Sequence, residues 1–210
     1  MSQNAVAEAW ADRFVSLEEW AALDEDEPGE VVDGRLVEEE IVGYAHEVIV
    51  GWLIHVLRTW IIPRGGFVGG SDARFAVRPT RGRKPDITVY LPGGRKPPAQ
   101  GLIRVPPYLA IEVVSPTPRD GRRDRVDKVK EYAAFGVKWY WIVDPQFRSL
   151  EIFELGADGR YAHALAVTEG RLDSVPGCDG LALDVGALWS ELDRLMDDNG
   201  DSADAEDSEE

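Results

Sequence analysis

The chain has 210 residues and a formal net charge of −16, and 44% of its residues are hydrophobic. This length and composition predict one globular domain with a packed core and argue against an intrinsically disordered chain. A single cysteine, Cys178, excludes an intrachain disulfide and a cysteine-based zinc site, which favours a reducing cytoplasm.

The charge is unevenly distributed along the chain. Segment 197–210 holds eight acids and no Lys or Arg, which is typical of a disordered, solubilising tail. Segment 78–130 has thirteen basic and five acidic residues. These bases could attract phosphates or could lie in solvated loops, and the sequence leaves both readings open. We therefore expect an N-terminal tail over 1–15, a folded domain over 16–196 and the acidic tail.

The first predicted elements are a helix, a hairpin and a second helix. The stretch 16–19 reads Ser-Leu-Glu-Glu, a capping box that predicts a short helix over about 17–23. Asp-Gly at 33–34, between two β-prone runs, predicts a two-residue hairpin. The longest apolar stretch, about 45–62, has helical length and stops before Pro63, so we expect a largely buried helix.

The rest of the chain alternates strands and helices. The predicted elements are one or two strands within 65–79, strands over 86–91 and 108–114, a helix over 123–135 ended by Gly136, a strand stopped by Asp144-Pro145, a hairpin around Asp158-Gly159, a short strand over 181–184 and a closing helix over 185–196. This order of elements indicates a mixed α/β domain.

Two acids stand in strands that otherwise look built for burial. Asp86 opens one run, and Glu112 lies in the middle of the other. Because side chains alternate across a strand, each acid avoids the more apolar face of its own strand. If the strands are neighbours, the carboxylates converge and repel each other unless a cation neutralises them. Mg²⁺ or Mn²⁺ suits such oxygen ligands, whereas the alternative is that each acid pairs with a nearby Arg or Lys.

Several short motifs follow one another in a particular order. They are Pro85-Asp86, Glu112-Val113-Val114, the helical trio Asp124, Lys128 and Tyr132, then Gly136-Val137 and Tyr140 to Pro145, with an upstream segment 30–37 and His46. Their order and spacing resemble the Uma2-type restriction endonucleases of the PD-(D/E)XK nuclease superfamily, over roughly residues 16–190. The resemblance implies a restriction-endonuclease-like mixed β-sheet flanked by helices, with additional β-hairpins.

The resemblance also implies a role for each matching residue. Asp86 and Glu112 would bind a divalent metal, Mg²⁺ or Mn²⁺, with the backbone carbonyl of Val113 as a third ligand. The superfamily usually places a lysine two residues after the second acid, but here that position is Val114. The family pattern offers Lys128, on the following helix, as the replacement catalytic lysine.

Three further residues are candidates for supporting roles. Asp124 and Lys128 are one α-helical turn apart and could orient each other, although an exposed ion pair of little energetic value has the same spacing. Glu30 and His46 are candidates for extra ligands or orienting groups. The alternatives are a polar hairpin rim for Glu30 and, for His46, a helix-capping or surface histidine.

We therefore predict a cytoplasmic, metal-dependent endonuclease that hydrolyses phosphodiester bonds in DNA, with homodimerisation left open. We expect no signal peptide and no membrane partner, because the N-terminus lacks a basic apolar leader and no apolar run approaches ~20 residues. The alternative is a catalytically inactive nuclease-fold module that binds nucleic acid or protein, and the missing lysine at position 114 favours it.

Overall fold

A computed structural model describes residues 13–24, 29–37, 42–115 and 123–200. Its strands, in chain order, are β1 (Glu30–Val32), β2 (Arg35–Val37), β3 (Phe67–Gly69), β4 (Phe75–Arg78), β5 (Arg81–Arg83), β6 (Ile87–Tyr90), β7 (Leu109–Val113), β8 (Trp139–Asp144), β9 (Ser149–Leu155), β10 (Tyr161–Val167), β11 (Arg171–Leu172) and β12 (Leu183–Asp184). Its helices are α1 (Leu17–Ala21), α2 (Tyr44–Ile61), α3 (Val129–Phe135) and α4 (Val185–Gly200), with a 3₁₀ turn at Ile62–Arg64 and a π-helical turn at Arg123–Lys128.

The centre of the fold is a six-stranded mixed sheet in the order β10-β9-β8-β7-β6-β3. The β7–β8 pair is parallel, and its neighbours in the sheet are antiparallel. A parallel pair requires a crossover, and α3 lies in the connection between β7 and β8. A second sheet has the order β2-β1-β5-β4. The predicted mixed α/β class with additional hairpins is confirmed.

Alternating side chains give the central sheet two different faces. Leu109, Ile111 and Val113 of β7 belong to the larger core, to which α2 and α4 contribute. Val114, just after β7, belongs to a smaller core with residues of α3. Glu112 shares the parity of Val114 and therefore projects from the face that α3 covers. The alternation predicted for this strand is confirmed.

Local sequence signals set the first helix and the first hairpin. The hydroxyl of Ser16 accepts the Glu19 N–H, and the Glu19 carboxylate accepts the Ser16 N–H, so the capping box forms. The helix ends at Ala21, earlier than predicted. Asp33 and Gly34 have φ angles of 52° and 75° between β1 and β2, as a two-residue hairpin turn requires.

The helix predicted to carry Lys128 begins differently from expectation. Arg123–Lys128 forms a π-helical turn, and only Val129–Phe135 is α-helical, with Gly136 at φ 95° as the predicted left-handed cap. A π-helical turn is wider than an α-helical one, so the α-helical spacing assumed for Asp124 and Lys128 does not apply. The side chain of Asp124 lies outside the described residues, and its predicted pairing stays untested.

The short strand β5 was not predicted. It reads Arg-Gly-Arg, which contains no β-prone residue and no apolar alternation. Two contacts explain its place between β1 and β4: Gly82 lets the strand approach the Trp20 ring, and Arg83 is buried by ion pairs described below.

Helix α2 is the predicted long apolar helix. By length and composition alone, Tyr44–Arg64 could span a membrane, with a mean hydropathy of 1.3. The expectation that no apolar run approaches the length of a membrane span is therefore wrong. A single such helix is weak evidence, because core helices of globular proteins pass the same test. Here Ile49, Leu53 and Leu57 pack into the larger core. The absence of a membrane partner remains a prediction.

The predicted tails fall mostly outside the described residues. The structure begins at residue 13 and covers 197–200 only as the backbone at the end of α4. The domain boundaries and the disorder of the acidic tail therefore stay predictions.

Candidate active site

Asp86 and Glu112 lie at the same end of two neighbouring strands. β6 and β7 are antiparallel and pair Ile87 with Ile111, so Asp86 stands opposite Glu112, one step beyond that pair. The Asp86 carboxylate accepts the backbone N–H of Val113 at 2.7 Å. The structure therefore places the two acids at the same end of adjacent strands and couples Asp86 directly to the residue after Glu112.

His46 reaches Asp86 from the first turns of α2. Its Nε2 lies 3.3 Å from Oδ2 of Asp86, and its Nδ1 lies 3.4 Å from the Glu47 carboxylate without hydrogen-bond geometry. Burial opposes the charged imidazolium, but the hydrogen bond and charge of Asp86, together with Glu47, outweigh burial and raise the pKa of His46. His46 is buried, so the alternative of a surface histidine is wrong.

Glu112 is buried and has a donor on each carboxylate oxygen. Nζ of Lys128 lies 2.8 Å from Oε2, and the Tyr132 hydroxyl donates to Oε1 at 2.5 Å. Lys128 itself is only 4% exposed and Glu112 only 3% exposed. Burial, and then the charges of Glu112 and Glu30, raise the pKa of Tyr132, which keeps its hydroxyl protonated as a donor.

Glu30 extends this arrangement from β1. Its Oε1 accepts the backbone N–H of Lys84 at 3.0 Å and lies 3.8 Å from Nζ of Lys128. Its Oε2 accepts from Arg83 at 2.5 Å. Glu30 is 1% exposed, so the alternative that it belongs to a polar hairpin rim is wrong. It reaches the site because β1 pairs with β5, which carries Arg83.

Arg83 and Glu131 are site residues that the sequence did not reveal. Arg83 donates from Nε and Nη2 to the two oxygens of Glu131, at 2.6 and 3.0 Å, while its Nη1 contacts Glu30. Burial opposes the charge of Arg83, but the hydrogen bonds with Glu131 and the charge of Glu30 raise the pKa of the guanidinium further. Arg81, at the rim, also pairs with Glu131. The one sequence feature that points to Arg83 is its position in the basic segment 78–130. That feature does not predict which acids Arg83 contacts.

Together these side chains form a set of three acids and three bases, all buried except the half-buried Arg81, which we call the ion cluster. Its members are Glu30, Glu112 and Glu131 on the acidic side and Arg81, Arg83 and Lys128 on the basic side. Burying an ion without a partner costs several kcal/mol, so the matched signs are a condition for this cluster to exist. The Glu112–Lys128 ion pair is the alternative in which Glu112 pairs with a nearby lysine.

The basic segment 78–130 is less positive in space than in sequence. Five of its basic side chains pair with acids from outside the segment: Arg81 with Asp33, Arg83 with Glu30, Lys84 with Asp72, Arg104 with Glu18, and Arg125 with Asp144. This segment therefore does not present an open basic surface along its whole length.

The remaining candidates are distributed as follows. The backbone N–H of Val113 contacts Asp86, whereas the predicted metal-binding role of its carbonyl stays a prediction. Val114 is buried in the smaller core, so no cation occupies the usual lysine position.

The fit of a metal to this site can be judged from its donors. Among the residues that the structure describes, no group of three or more His, Cys, Asp and Glu side chains is arranged to hold a metal ion. Mg²⁺, however, keeps several waters and needs only one or two carboxylates from the protein. Asp86, with its side chain 15% exposed, meets that lower requirement by itself, whereas the two oxygens of the neighbouring Glu112 already accept from Lys128 and Tyr132.

Comparisons with known proteins bear on the fold and the family. A solved structure described as a "putative nuclease belonging to DUF820", from Anabaena variabilis, superposes with a TM-score of 0.67 at 18% sequence identity. The match covers 85% of this chain and 99% of that one, which supports the fold. No curated protein matches the chain.

A family model gives the classification. The model of the Uma2 family, described as "putative restriction endonuclease", matches residues 12–186, which include every candidate site residue. The chain therefore belongs to the Uma2 family.

Proposed function

We propose that the chain is a metal-dependent endonuclease that hydrolyses phosphodiester bonds in DNA. One observation carries the proposal: Asp86 and Glu112 stand opposite each other on adjacent strands, with the Lys128 ammonium 2.8 Å from Glu112. Two acids and a lysine in one place are the groups that the family resemblance assigns to phosphodiester hydrolysis. Family membership and the fold of the Anabaena protein support the same class of activity.

Asp86 and Glu112 are the residues that would hold Mg²⁺ or Mn²⁺, with the Val113 carbonyl as a third ligand. A bound divalent metal supplies Lewis-acid polarisation of a phosphoryl oxygen and lowers the pKa of a coordinated water. The chain's part is to hold its carboxylates in position. The Val113 N–H and His46 fix Asp86, and the Tyr132 hydroxyl fixes one oxygen of Glu112.

Lys128 supplies the positive charge that the superfamily usually places at the position of Val114. Phosphodiester hydrolysis accumulates negative charge on the phosphoryl oxygens, and a fixed ammonium in a site with little water stabilises that charge. Lys128 is restrained by Glu112 at 2.8 Å and by Glu30 at 3.8 Å. Arg83 in turn donates a hydrogen bond to Glu30, so the ion cluster positions the Lys128 side chain.

A plasmid-cleavage assay with Mg²⁺ or Mn²⁺ tests the proposal. Wild type is expected to nick or linearise DNA only with the metal, and Asp86→Asn to lose that activity. Asp127→Asn is the matched control, because Asp127 is an exposed acid on the helical turn that carries Lys128. Cleavage by Asp86→Asn at the wild-type rate would overturn the assignment of Asp86.

The second candidate is an inactive nuclease-fold module that binds nucleic acid or protein. A specific observation favours it: Lys128 and Tyr132 already occupy both oxygens of Glu112, and Val114 replaces the usual lysine. This candidate predicts no metal-dependent cleavage by wild type under any tested metal, together with DNA or protein binding.

A further inference from the structure

The two most exposed large hydrophobic side chains in the part of the chain that the structure describes are both aromatic. They are Phe147, which is 73% exposed, and Tyr44, which is 72% exposed. Leaving a large apolar ring in water forgoes the stabilisation that its burial would give. One such ring is common on a protein surface, so its meaning depends on where it lies.

Phe147 lies in the turn between β8 and β9, at the same end of the sheet as Asp86 and Glu112. β7 and β8 are parallel and pair Val113 with Val143, so both strands end beside the candidate active site. Neighbouring strands lie about 4.8 Å apart, and β7 is the one strand between β6 and β8. The turn is therefore about 10–15 Å across the sheet from Asp86.

The turn that carries Phe147 is held in place by a buried carboxylate. Oδ1 of Asp144 accepts the backbone N–H groups of Gln146 and Phe147 at 3.0 and 3.1 Å. Asp144 is buried, and its Oδ2 accepts from Arg125 at 2.9 Å. A ring presented by an ordered turn loses little conformational freedom when a ligand covers it, which favours binding.

Tyr44 lies on the other side of the two acids, near Asp86. It is the first residue of α2, and His46, in the same helical turn, lies 3.3 Å from Asp86. Because Cα–Cβ bonds in a helix tilt toward its N-terminus, the Tyr44 ring projects at the end of α2. The two most exposed rings therefore lie at the same end of the sheet, one near Asp86 and the other beyond β8.

Exposed aromatic rings bind nucleobases by stacking, which does not require a particular base. A DNA strand advances about 3.4 Å per phosphate in a duplex, so a few nucleotides connect the two positions. Two arginines beside the β8–β9 turn are already engaged, Arg125 with Asp144 and Glu151, and Arg148 with Asp193. The contribution of this turn to DNA binding is therefore stacking and not phosphate pairing.

We propose that Phe147 and Tyr44 are base-stacking residues that hold a DNA strand on the two sides of the reaction centre. The inference rests on the proposed function, because it takes DNA as the ligand of the same site. It implies that the bases next to the scissile phosphate are unpaired when they bind, since a base inside a duplex has no free face for these rings.

Binding of a fluorescein-labelled single-stranded DNA, followed by fluorescence anisotropy in EDTA, tests this role without requiring cleavage. Phe147→Ala and Tyr44→Ala should each weaken binding by about five- to a hundredfold, the effect of losing one stacked base. Phe147→Trp and Tyr44→Phe keep an aromatic face and should bind within about twofold of wild type.

Phe67→Ala is the matched control. Phe67 is an exposed phenylalanine on the same sheet, but it pairs with Tyr90, at the end of β6 away from Asp86. Its replacement should leave the affinity for DNA unchanged.

Photocross-linking gives a readout that affinity alone does not. DNA that carries iododeoxyuridine cross-links to aromatic rings stacked on that base, and mass spectrometry identifies the residue. Wild type should cross-link at Phe147 and Tyr44, whereas Phe147→Ala at saturating protein should keep only the cross-link at Tyr44. Cross-links at Phe67 in place of these two would contradict the inference.

The outcomes distinguish this inference from the proposed function. If wild type does not bind the strand, or if Phe147→Ala binds it as tightly as wild type, the stacking role is wrong, whatever the enzyme cleaves. Unchanged DNA affinity together with conversion of a dimer to a monomer in Phe147→Ala would assign the ring to a contact between copies and would also overturn the inference. If affinity and cross-links change as expected but wild type never cleaves DNA, the stacking residues stand and the endonuclease proposal fails.

Discussion

Replacement of Lys128 by methionine tests the ion cluster at its centre. Methionine keeps most of the apolar stem of lysine and removes the ammonium, which leaves the Glu112 carboxylate with Tyr132 as its remaining hydrogen-bond donor among those described above. Removing one partner of a buried ion pair costs about 3–5 kcal/mol, because the other charge stays buried. Since Tyr132 still donates to Glu112, we expect a loss of about 3 kcal/mol in the free energy of unfolding.

Urea denaturation followed by tryptophan fluorescence measures this loss, provided that the dependence of free energy on urea is unchanged. The double variant Lys128→Met with Glu112→Gln should recover a part of it, because the unpaired charge is then gone. The expected coupling between the two positions is about 1–3 kcal/mol.

Lys130→Met is the control, since Lys130 is exposed and lies two residues further along the chain, in the first turn of α3. A substitution of this kind is expected to change stability by no more than about 0.5 kcal/mol. If Lys128→Met and Lys130→Met unfold at the same urea concentration, the ion cluster does not carry the energy assigned to it.

Three further predictions concern the core and the cluster. Burial, with the nearby charge of Asp179, raises the pKa of the Cys178 thiol to about 12, so iodoacetamide at pH 8 should label it only after unfolding; labelling of the native protein at a free-thiol rate would contradict its burial. Gly82→Ala should lower the melting temperature, at a cost of about 1–3 kcal/mol in stability, because the new Cβ would lie 2.3 Å from the buried Trp20 ring. Gly51→Ala on α2 meets nothing within 4 Å and should add about 0.5–1 kcal/mol of stability. Melting-temperature shifts of the same sign in the two variants would refute this. Lysine cannot reproduce the hydrogen bonds that the Arg83 guanidinium donates to Glu30 and Glu131 together. Arg83→Lys should therefore lower the free energy of unfolding in urea by about 3 kcal/mol, and a loss below about 1 kcal/mol would contradict the role assigned to Arg83.

Patterns that act over a few residues predicted much of this fold. The Asp33-Gly34 turn, the capping box at Ser16 and the alternation in β7 all depend on neighbours in sequence, and all three were found. The same alternation placed Glu112 on the less apolar face. The alternation does not determine which strands pair, so it could not predict that Glu112 stands opposite Asp86. The antiparallel β6–β7 pairing places the two residues opposite each other.

The ion cluster could not be predicted in the same way. Arg83 contacts Glu131 across 48 residues and Glu30 across 53, and no local pattern selects such partners. In a sequence, a buried arginine is indistinguishable from a solvated one. The π-helical turn before α3 was equally hidden, because its residues also suit an ordinary α-helix.

The relocated lysine can also be tested from the strand side. Val114 shares its strand face with Glu112, so a lysine at 114 would project toward the same carboxylate. We expect Val114→Lys to restore part of the cleavage rate lost in Lys128→Met, since a misplacement of ~1 Å can still cost ~10²-fold. Val114 is buried in the smaller core, so a lysine there could prevent folding. Protection of Cys178 from iodoacetamide therefore serves as the check that the double variant is folded.

The most direct test of the central claim is the single-turnover rate of DNA cleavage by Lys128→Met in saturating Mg²⁺. The proposed role of the ammonium predicts a rate lower by about 10²–10³-fold, while folded Lys130→Met cleaves at the wild-type rate. If folded Lys128→Met cleaves DNA as fast as wild type, Lys128 does not act in the reaction, and its contact with Glu112 is structural.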